Sequence, residues 1–224
     1  MDWFPLYNSL RIALISTVIT FFTGIFAAYY IARVPRALKG VLDCVLTLPM
    51  VLPPTVVGFF LLRLLGPRGL LGQYLLAWWN LRITMTWYAA IFATAAVTFP
   101  LMYRTARGAF ESFDQTLLYA GRTLGLSNTY LFWRVLLPGC KQGVLAGVVL
   151  AFARGLGEYG ATSMLSGYTP GRTATISTTV YQLWRESNDA LAYRWVGVNV
   201  IISLAVLLAV NLLERRQKQE VHHA

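Results

Sequence analysis

Five stretches of about 20 apolar residues, at 12–32, 41–62, 85–103, 144–165 and 195–213, constrain this chain more than any other feature. A helix rises about 1.5 Å per residue, so each run is long enough to cross about 30 Å of hydrocarbon. Backbone groups in lipid have to pair within their own segment, so each run is expected to be helical. Composition agrees: 57% of the 224 residues are hydrophobic and only 12% charged, where a soluble domain carries about 25% charged residues. That charge cannot cover a water-facing surface of this size, which excludes a soluble globular enzyme and a disordered chain. The net charge of +10 is carried between the apolar runs rather than on a polar face, which speaks for membrane lipid and against nucleic acid. The expectation is an all-α integral membrane protein with about five spanning helices. A shorter apolar segment at 70–81, with Trp78 and Trp79, reads as an interfacial helix.

Positive charge sets the orientation. Arg33, Arg36 and Lys39 lie between the first two runs; Arg104, Arg107, Arg122, Arg134 and Lys141 between the third and fourth; and Arg215, Arg216 and Lys218 after the fifth. The opposite loops hold Arg11, Arg63, Arg68, Arg82, Arg172, Arg185 and Arg194. The bias places the N-terminus outside, with loop 104–141 and the polar tail 215–224 in the cytoplasm. Of the outer arginines, Arg63, Arg68, Arg82, Arg172 and Arg185 are candidates for a field that tolerates an incoming anion. The first apolar run is too long for a cleavable signal and no small-residue cleavage site follows it. Cys44 and Cys140 are too few and too far apart for a metal or redox motif and are expected as free thiols. His222 and His223 read as a solvated terminus, and no metal site is expected.

Residues that do not suit a membrane helix mark the candidate pathway. Pro49, Pro53 and Pro54 fall within six residues of the second run; each removes a backbone donor and crowds the preceding turn, so the helix is expected to break there. At membrane depth such backbone is tolerated only against protein or a water-filled cavity. In the fourth run Arg154 and Glu158 are four apart, on one helical face, and are expected to pair. Glu158 as a general base is not supported, because no His, Ser or metal cluster joins it, and no catalytic residue is expected. Thr55, Thr162 and Ser163 offer hydroxyls along the path. Gly139, Gly143, Gly147, Ala151 and Gly155 recur every fourth residue and make a helix-packing stripe, within the chain or between two copies.

The loop 104–141 is polar yet patterned. Residues 110–124 read as a helix, Gly125 as its C-terminal glycine, Ser127 or Asn128 as the cap of a short second helix, and Pro138 as the start of the next. Two short helices about a glycine turn make a projecting knob suited to docking. Ala120-Gly121-Arg122-Thr123-Leu124-Gly125, nine residues, then Val135-Leu136-Leu137-Pro138 resembles the EAA loop of ABC importer permeases. Tyr119 stands at the usual Glu position and Gly121 at the second Ala, so the acidic contact often made there is not expected. The resemblance covers residues 6–214. The stretches Leu48-Pro49-Met50-Val51-Leu52-Pro53-Pro54-Thr55 and Ala153-Arg154-Gly155-Leu156-Gly157-Glu158-Tyr159-Gly160-Ala161-Thr162, with Pro170-Gly171-Arg172-Thr173, are similar to the molybdate-type permease subunit; tungstate and sulfate permeases share overlapping patterns.

The resemblance implies a type I importer transmembrane domain in a bacterial or archaeal cytoplasmic membrane. It implies a homodimer, two copies of a separate ABC ATPase and an external molybdate-binding protein. Tyr119, Ala120, Gly121, Gly125, Val135, Leu137 and Pro138 would form the ATPase-coupling loop. No G-x-x-x-x-G-K-[ST] phosphate loop is present, so ATP and Mg are expected on the partner ATPase and no cofactor on this chain. A self-contained channel or secondary anion transporter would also use a proline-broken span and an intramembrane charge pair, but needs no docking knob.

Overall fold

A computed structural model describes the backbone of residues 2–222 and the side chains of 2–35 and 37–208. His223 and the side chains of His222, Arg215, Arg216 and Lys218 lie outside the described residues. In chain order the helices are α1 (Phe4–Ile31), α2 (Arg36–Val51), α3 (Pro54–Leu65), α4 (Gly72–Trp79), α5 (Trp87–Ser112), α6 (Gln115–Thr123) and α7 (Asn128–Leu131). A π-helical turn (Phe132–Leu136) follows, then α8 (Leu137–Gly139), α9 (Lys141–Leu156), α10 (Gly160–Leu165), α11 (Ile176–Arg185) and α12 (Asp189–His222). The described residues contain no strand.

Two apolar runs are not single helices. The run 41–62 is α2 and α3, bent by 110° at Leu52 and Pro53. The cause is local: Pro53 is extended at ψ 136°, and Pro54, lacking an N–H, opens α3 in its first turn. The run 144–165 is α9 and α10, separated at Gly157–Tyr159, so Arg154 is helical and Glu158 lies just beyond the helix end. Two boundaries in the polar loop also differ from the sequence expectation. The residues 110–124 are not one helix: α5 continues to Ser112, Phe113 is extended, and Asp114 caps a new helix through its carboxylate on the Thr116 N–H at 2.9 Å. Pro138 does not open the long helix, which starts at Lys141 after a 75° bend.

The hub is α5. It is packed by α1 on one side and α9 on another. α1 and α5 run parallel, because Ile12 clusters with Ala90 and Ile91 near their starts while Gly24 meets Met102 further along. α9 runs antiparallel to both. Gly143 lies against Ala109, Gly147 against Met102 and Thr105, and Gly155 against Thr94. The small-residue stripe is therefore a contact within one chain, and Ala151 is buried in the same row. Small α5 residues also serve its other neighbours: Ala90 is buried with Ile12 of α1, and Ala89 and Ala93 with Val57 and Ala161. Lipid tails are as apolar as leucine, so helices in a membrane associate through close backbone approach more than through burial of apolar area. Several buried hydroxyls bond their own helix: Ser16 donates to the Ile12 carbonyl, Thr17 to that of Ala13 and Thr98 to that of Thr94, at 2.5, 2.7 and 2.9 Å.

The outward surface is apolar. Val41, Val45, Leu48 and Val51 on α2, and Val200, Ile201, Leu204 and Leu207 on α12, are exposed, as lipid or a second copy requires. A Cβ at position 143 would sit 2.6 Å from that of Ala109, whereas one at position 108 meets nothing within 4 Å. Gly143→Leu should therefore destabilise the bundle by about 1–3 kcal/mol through overpacking, and Gly108→Leu should leave it near wild type. Thermal unfolding of the two purified variants in detergent checks this.

Candidate functional site: a docking knob and two facing helix breaks

The knob is α6, the Gly125 turn and α7 with the π-helical turn. Its inner face is anchored. Leu118, Leu131, Phe132 and Leu136 are buried in one cluster with Ile25, Ala28 and Ile31 of α1 and Tyr103, Ala106 and Phe110 of α5. The Phe132 ring lies 4.5 Å from that of Tyr29, centroid to centroid. Gly121 is buried where any Cβ would strike Leu131, which explains a small residue there. Gly125 turns the chain at φ +78°, with its N–H on the Arg122 carbonyl at 2.9 Å; only glycine adopts that backbone without cost. Ser127 caps α7 by accepting the Tyr130 N–H.

The outer face of the knob is free. Tyr119 is 60% exposed and Leu124 79% exposed, with Ala120, Arg122, Leu126 and Tyr130 also exposed around them. Arg122 is held by its Nε on Asn128 Oδ1 at 3.2 Å. Of the remaining loop positions, Val135 and Leu137 are half-buried against the core cluster and Pro138 is exposed. The result is a rigid base with an apolar, basic-edged tip.

Next to the knob lies a charge network the sequence reading missed. Asp43 of α2 pairs with Arg107 of α5 and accepts the Tyr103 hydroxyl. Lys39 of α2 reaches Glu111 Oε1 at 2.6 Å, and Arg107 Nε reaches the same oxygen at 2.8 Å. The signal available was Asp43, a carboxylate near the start of an apolar run. Charges on separate helices meet only once the helices are packed, so spacing alone could not pair it. The Lys39 ammonium, more than anything else, holds the Glu111 carboxyl below its usual range. A lowered carboxyl pKa contributes stability above the ordinary value of 4.5 and loses it as pH falls through the lowered one.

At the other end of α5 the two helix breaks face each other. α3 and α10 pack together against the start of α5, with Val57, Ala93, Val97, Ala161 and Leu165 in one buried cluster. A Cβ on Gly160 would lie 2.9 Å from Pro54 and 3.1 Å from the Thr55 nitrogen, so the residues after the proline break touch those after the Gly157–Tyr159 break. Glu158, 3% exposed, closes the second break. Its Oε1 accepts the Ala161 N–H at 2.9 Å, which satisfies a free donor at the start of α10. Its Oε2 meets Arg154 Nη1 at 2.6 Å as an ion contact without hydrogen-bond alignment. Pro53, Thr55 and Gly157 present an exposed surface beside this junction. Thr162 is buried at 1% with no protein partner for its hydroxyl, and Pro49 is half-buried within α2, one turn before the break. Cys44 is an exposed free thiol and Cys140 a buried one, and the described residues hold no cluster able to bind a metal.

Two outcomes follow. Glu158→Gln keeps an acceptor for Ala161 and loses only the ion pair, while Glu158→Ala loses both. The alanine variant should be the less stable by about 1 kcal/mol, read from detergent melting curves of the two. Lys39→Ala should weaken the α2–α5 clasp, and a cycle of Lys39→Ala, Glu111→Ala and the double variant, read from detergent melting curves, should give a coupling of about 0.5–1 kcal/mol.

Comparison with known proteins agrees with this architecture. The chain is 36% identical over 219 residues to the molybdenum transport system permease protein ModB of Escherichia coli (strain K12), covering 97% of this chain and 96% of that one. It is 32% identical over 211 residues to the sulfate transport system permease protein CysW of Synechocystis sp., covering 94% and 75%. A chain of a bacterial alginate ABC transporter, crystallised with an alginate pentasaccharide-bound periplasmic protein, superposes with a TM-score of 0.75 at 18% identity, covering 94% of this chain and 77% of that one; at that identity the likeness concerns the fold, that of a type I ABC importer transmembrane domain. Residues 20–219 match the family described as binding-protein-dependent transport system inner membrane component. The chain belongs to that family, as a membrane permease component with no catalytic activity of its own.

Proposed function

We propose that this chain is the permease subunit of an ATP-driven importer that moves molybdate across the cytoplasmic membrane by alternating access. The observation that carries the reading is the relationship to a molybdenum permease over 97% of the chain. The working unit would be a homodimer of this subunit with two ATPase subunits at the knobs and an anion-delivering binding protein at the opposite end. ATP and Mg belong to the ATPase. The knob end is cytoplasmic in this reading and the N-terminus external, consistent with Arg33, Lys39, Arg107 and Arg122 gathering around the knob.

The geometry suits such coupling. Leu118, Leu131 and Phe132 weld the knob to α1 and α5, so force applied to the exposed Tyr119–Leu124 face reaches the bundle rather than being absorbed by a soft loop. α3 and α10, separated from α2 and α9 by broken backbone, form a pair able to tilt as one piece, and such changes pass between discrete packings. The exposed Val51, Pro53 and Thr55 edge would face the second copy across the pathway. Selectivity is assigned mainly to the binding protein, with the permease acting as gate.

A Cβ at Gly125 meets nothing within 4 Å, but φ +78° strains any other residue. Gly125→Trp should leave the subunit inserted and abolish ATPase co-purification and coupled uptake; normal uptake by the variant would remove the knob from the mechanism. In cells carrying the wild-type importer, molybdate should compete for uptake at least tenfold better than sulfate. The reverse order would assign the sulfate relative's cargo instead, and uptake without any ATPase would point to a self-contained carrier.

A further inference from the structure

Towards the opposite end of α1 from the knob a second charged feature appears. A cavity of about 550 Å³ opens where the starts of α1 and α5 meet the loop before α11. Arg11, Arg82 and Arg172 line it, and no aspartate or glutamate does. None of the three makes an ion pair among the described residues. Three guanidiniums around one cavity repel one another, and among the described residues no carboxylate lines it to offset that.

Arg11 is held by its side chain, and the backbone that carries Arg82 and Arg172 is tied down. Arg11 stacks on Trp87, its guanidinium carbon 3.8 Å from the ring centroid, and donates from Nη2 to Asn8 Oδ1 at 2.9 Å. Asn8 is itself fully buried and donates to the Ala174 carbonyl at 2.9 Å. Arg11 Nε is buried with no partner, although a buried charged donor left unpaired is costly. Arg82 sits on a segment flanked by two left-handed residues, Asn80 (φ 50°) and Met85 (φ 61°). That segment is tied down by the Tyr88 hydroxyl on the Arg82 carbonyl at 2.7 Å and the Met85 N–H on the Leu165 carbonyl at 3.0 Å. Arg172 follows Gly171 (φ +68°) in a turn closed by the Thr169 N–H on Thr173 Oγ1 at 2.9 Å. The N-terminus of the 26-residue α5 opens beside the same cavity, adding the positive end of its dipole. Tied-down backbone that presents cationic forks to a concavity lined by no carboxylate is preorganisation for an anion.

We propose that this cavity binds a phosphate-like tetrahedral oxyanion. Arg82 and Arg172 would supply bidentate contacts from the exposed rim, with Arg11 fixed on Trp87 as the floor. The proposal stands independently of the transport reading. Two sources share this chemistry: a soluble oxyanion, or the phosphate of a lipid headgroup at the membrane interface.

The test uses Arg82→Gln and Arg172→Gln, singly and together, because both side chains are exposed and neither bonds the core; Arg63→Gln, outside the cavity, is the control. Binding of inorganic phosphate and of molybdate is measured by calorimetry on the full-length protein in lipid-free neutral detergent. Retention of phosphatidylglycerol against phosphatidylcholine is measured by native mass spectrometry. The expected result is binding of at least one probe by wild type and by Arg63→Gln, weakened about tenfold or more in each rim variant. Binding of the soluble anions without lipid assigns the first source; phosphatidylglycerol retention with inert soluble anions assigns the second. The proposal is overturned if wild type binds none of the three probes, or if binding is unchanged in the double variant.

Discussion

Every backbone polar group at membrane depth needs a partner, and this requirement decides where the chain is allowed to break. Two helices do break: one at Leu52 and Pro53, the other at Gly157–Tyr159. Neither break is left facing lipid alone. α3 and α10, the short helices beyond the breaks, pack on each other and on α5, and the Glu158 carboxylate accepts a donor freed at the start of α10. A charge that would be expensive in hydrocarbon thereby becomes the group that permits irregular backbone. Arg154, partly exposed at 37%, balances it.

The same economy governs the rest of the bundle. Glycine and alanine rows let α9 and α1 approach α5 closely, and the hydroxyls of Thr17 on α1 and Thr98 on α5 return their donors to their own helices. What remains polar is gathered at the two ends. At one end Lys39, Asp43, Arg107 and Glu111 neutralise one another and clasp α2 to α5. At the other end Arg11, Arg82 and Arg172 are left without carboxylates. One cluster is satisfied within the protein and the other is open to an anion, although composition alone would describe both simply as basic.

Much of this was legible from residues in order. Apolar runs of membrane length, three prolines in six residues and the glycine-to-proline spacing of the polar loop are local facts, and they pointed to membrane helices, one of them broken, and a knob. Less visible was the subdivision of the runs. Residues 144–165 carry no proline, so the break at Gly157 shows in sequence only as glycines, which loosen a helix without ending it. α11 was missed, although Thr175 and Thr178 form a reciprocal cap at its start, because two threonines lack the glutamate or glutamine that usually marks such a cap.

The residue order by itself determined that this chain is an α-helical membrane protein with a projecting loop, since hydrocarbon thickness and backbone hydrogen bonding act on each segment separately. Only the tertiary structure decided which segments answer one another. It placed the glycine stripe against α5, set Pro54 beside Gly160, tied Lys39 and Asp43 to the end of α5, and brought Arg11, Arg82 and Arg172 around one cavity. Those pairings join residues roughly 30 to 160 positions apart, where the chain's local preferences are silent and only packing in three dimensions selects the partner.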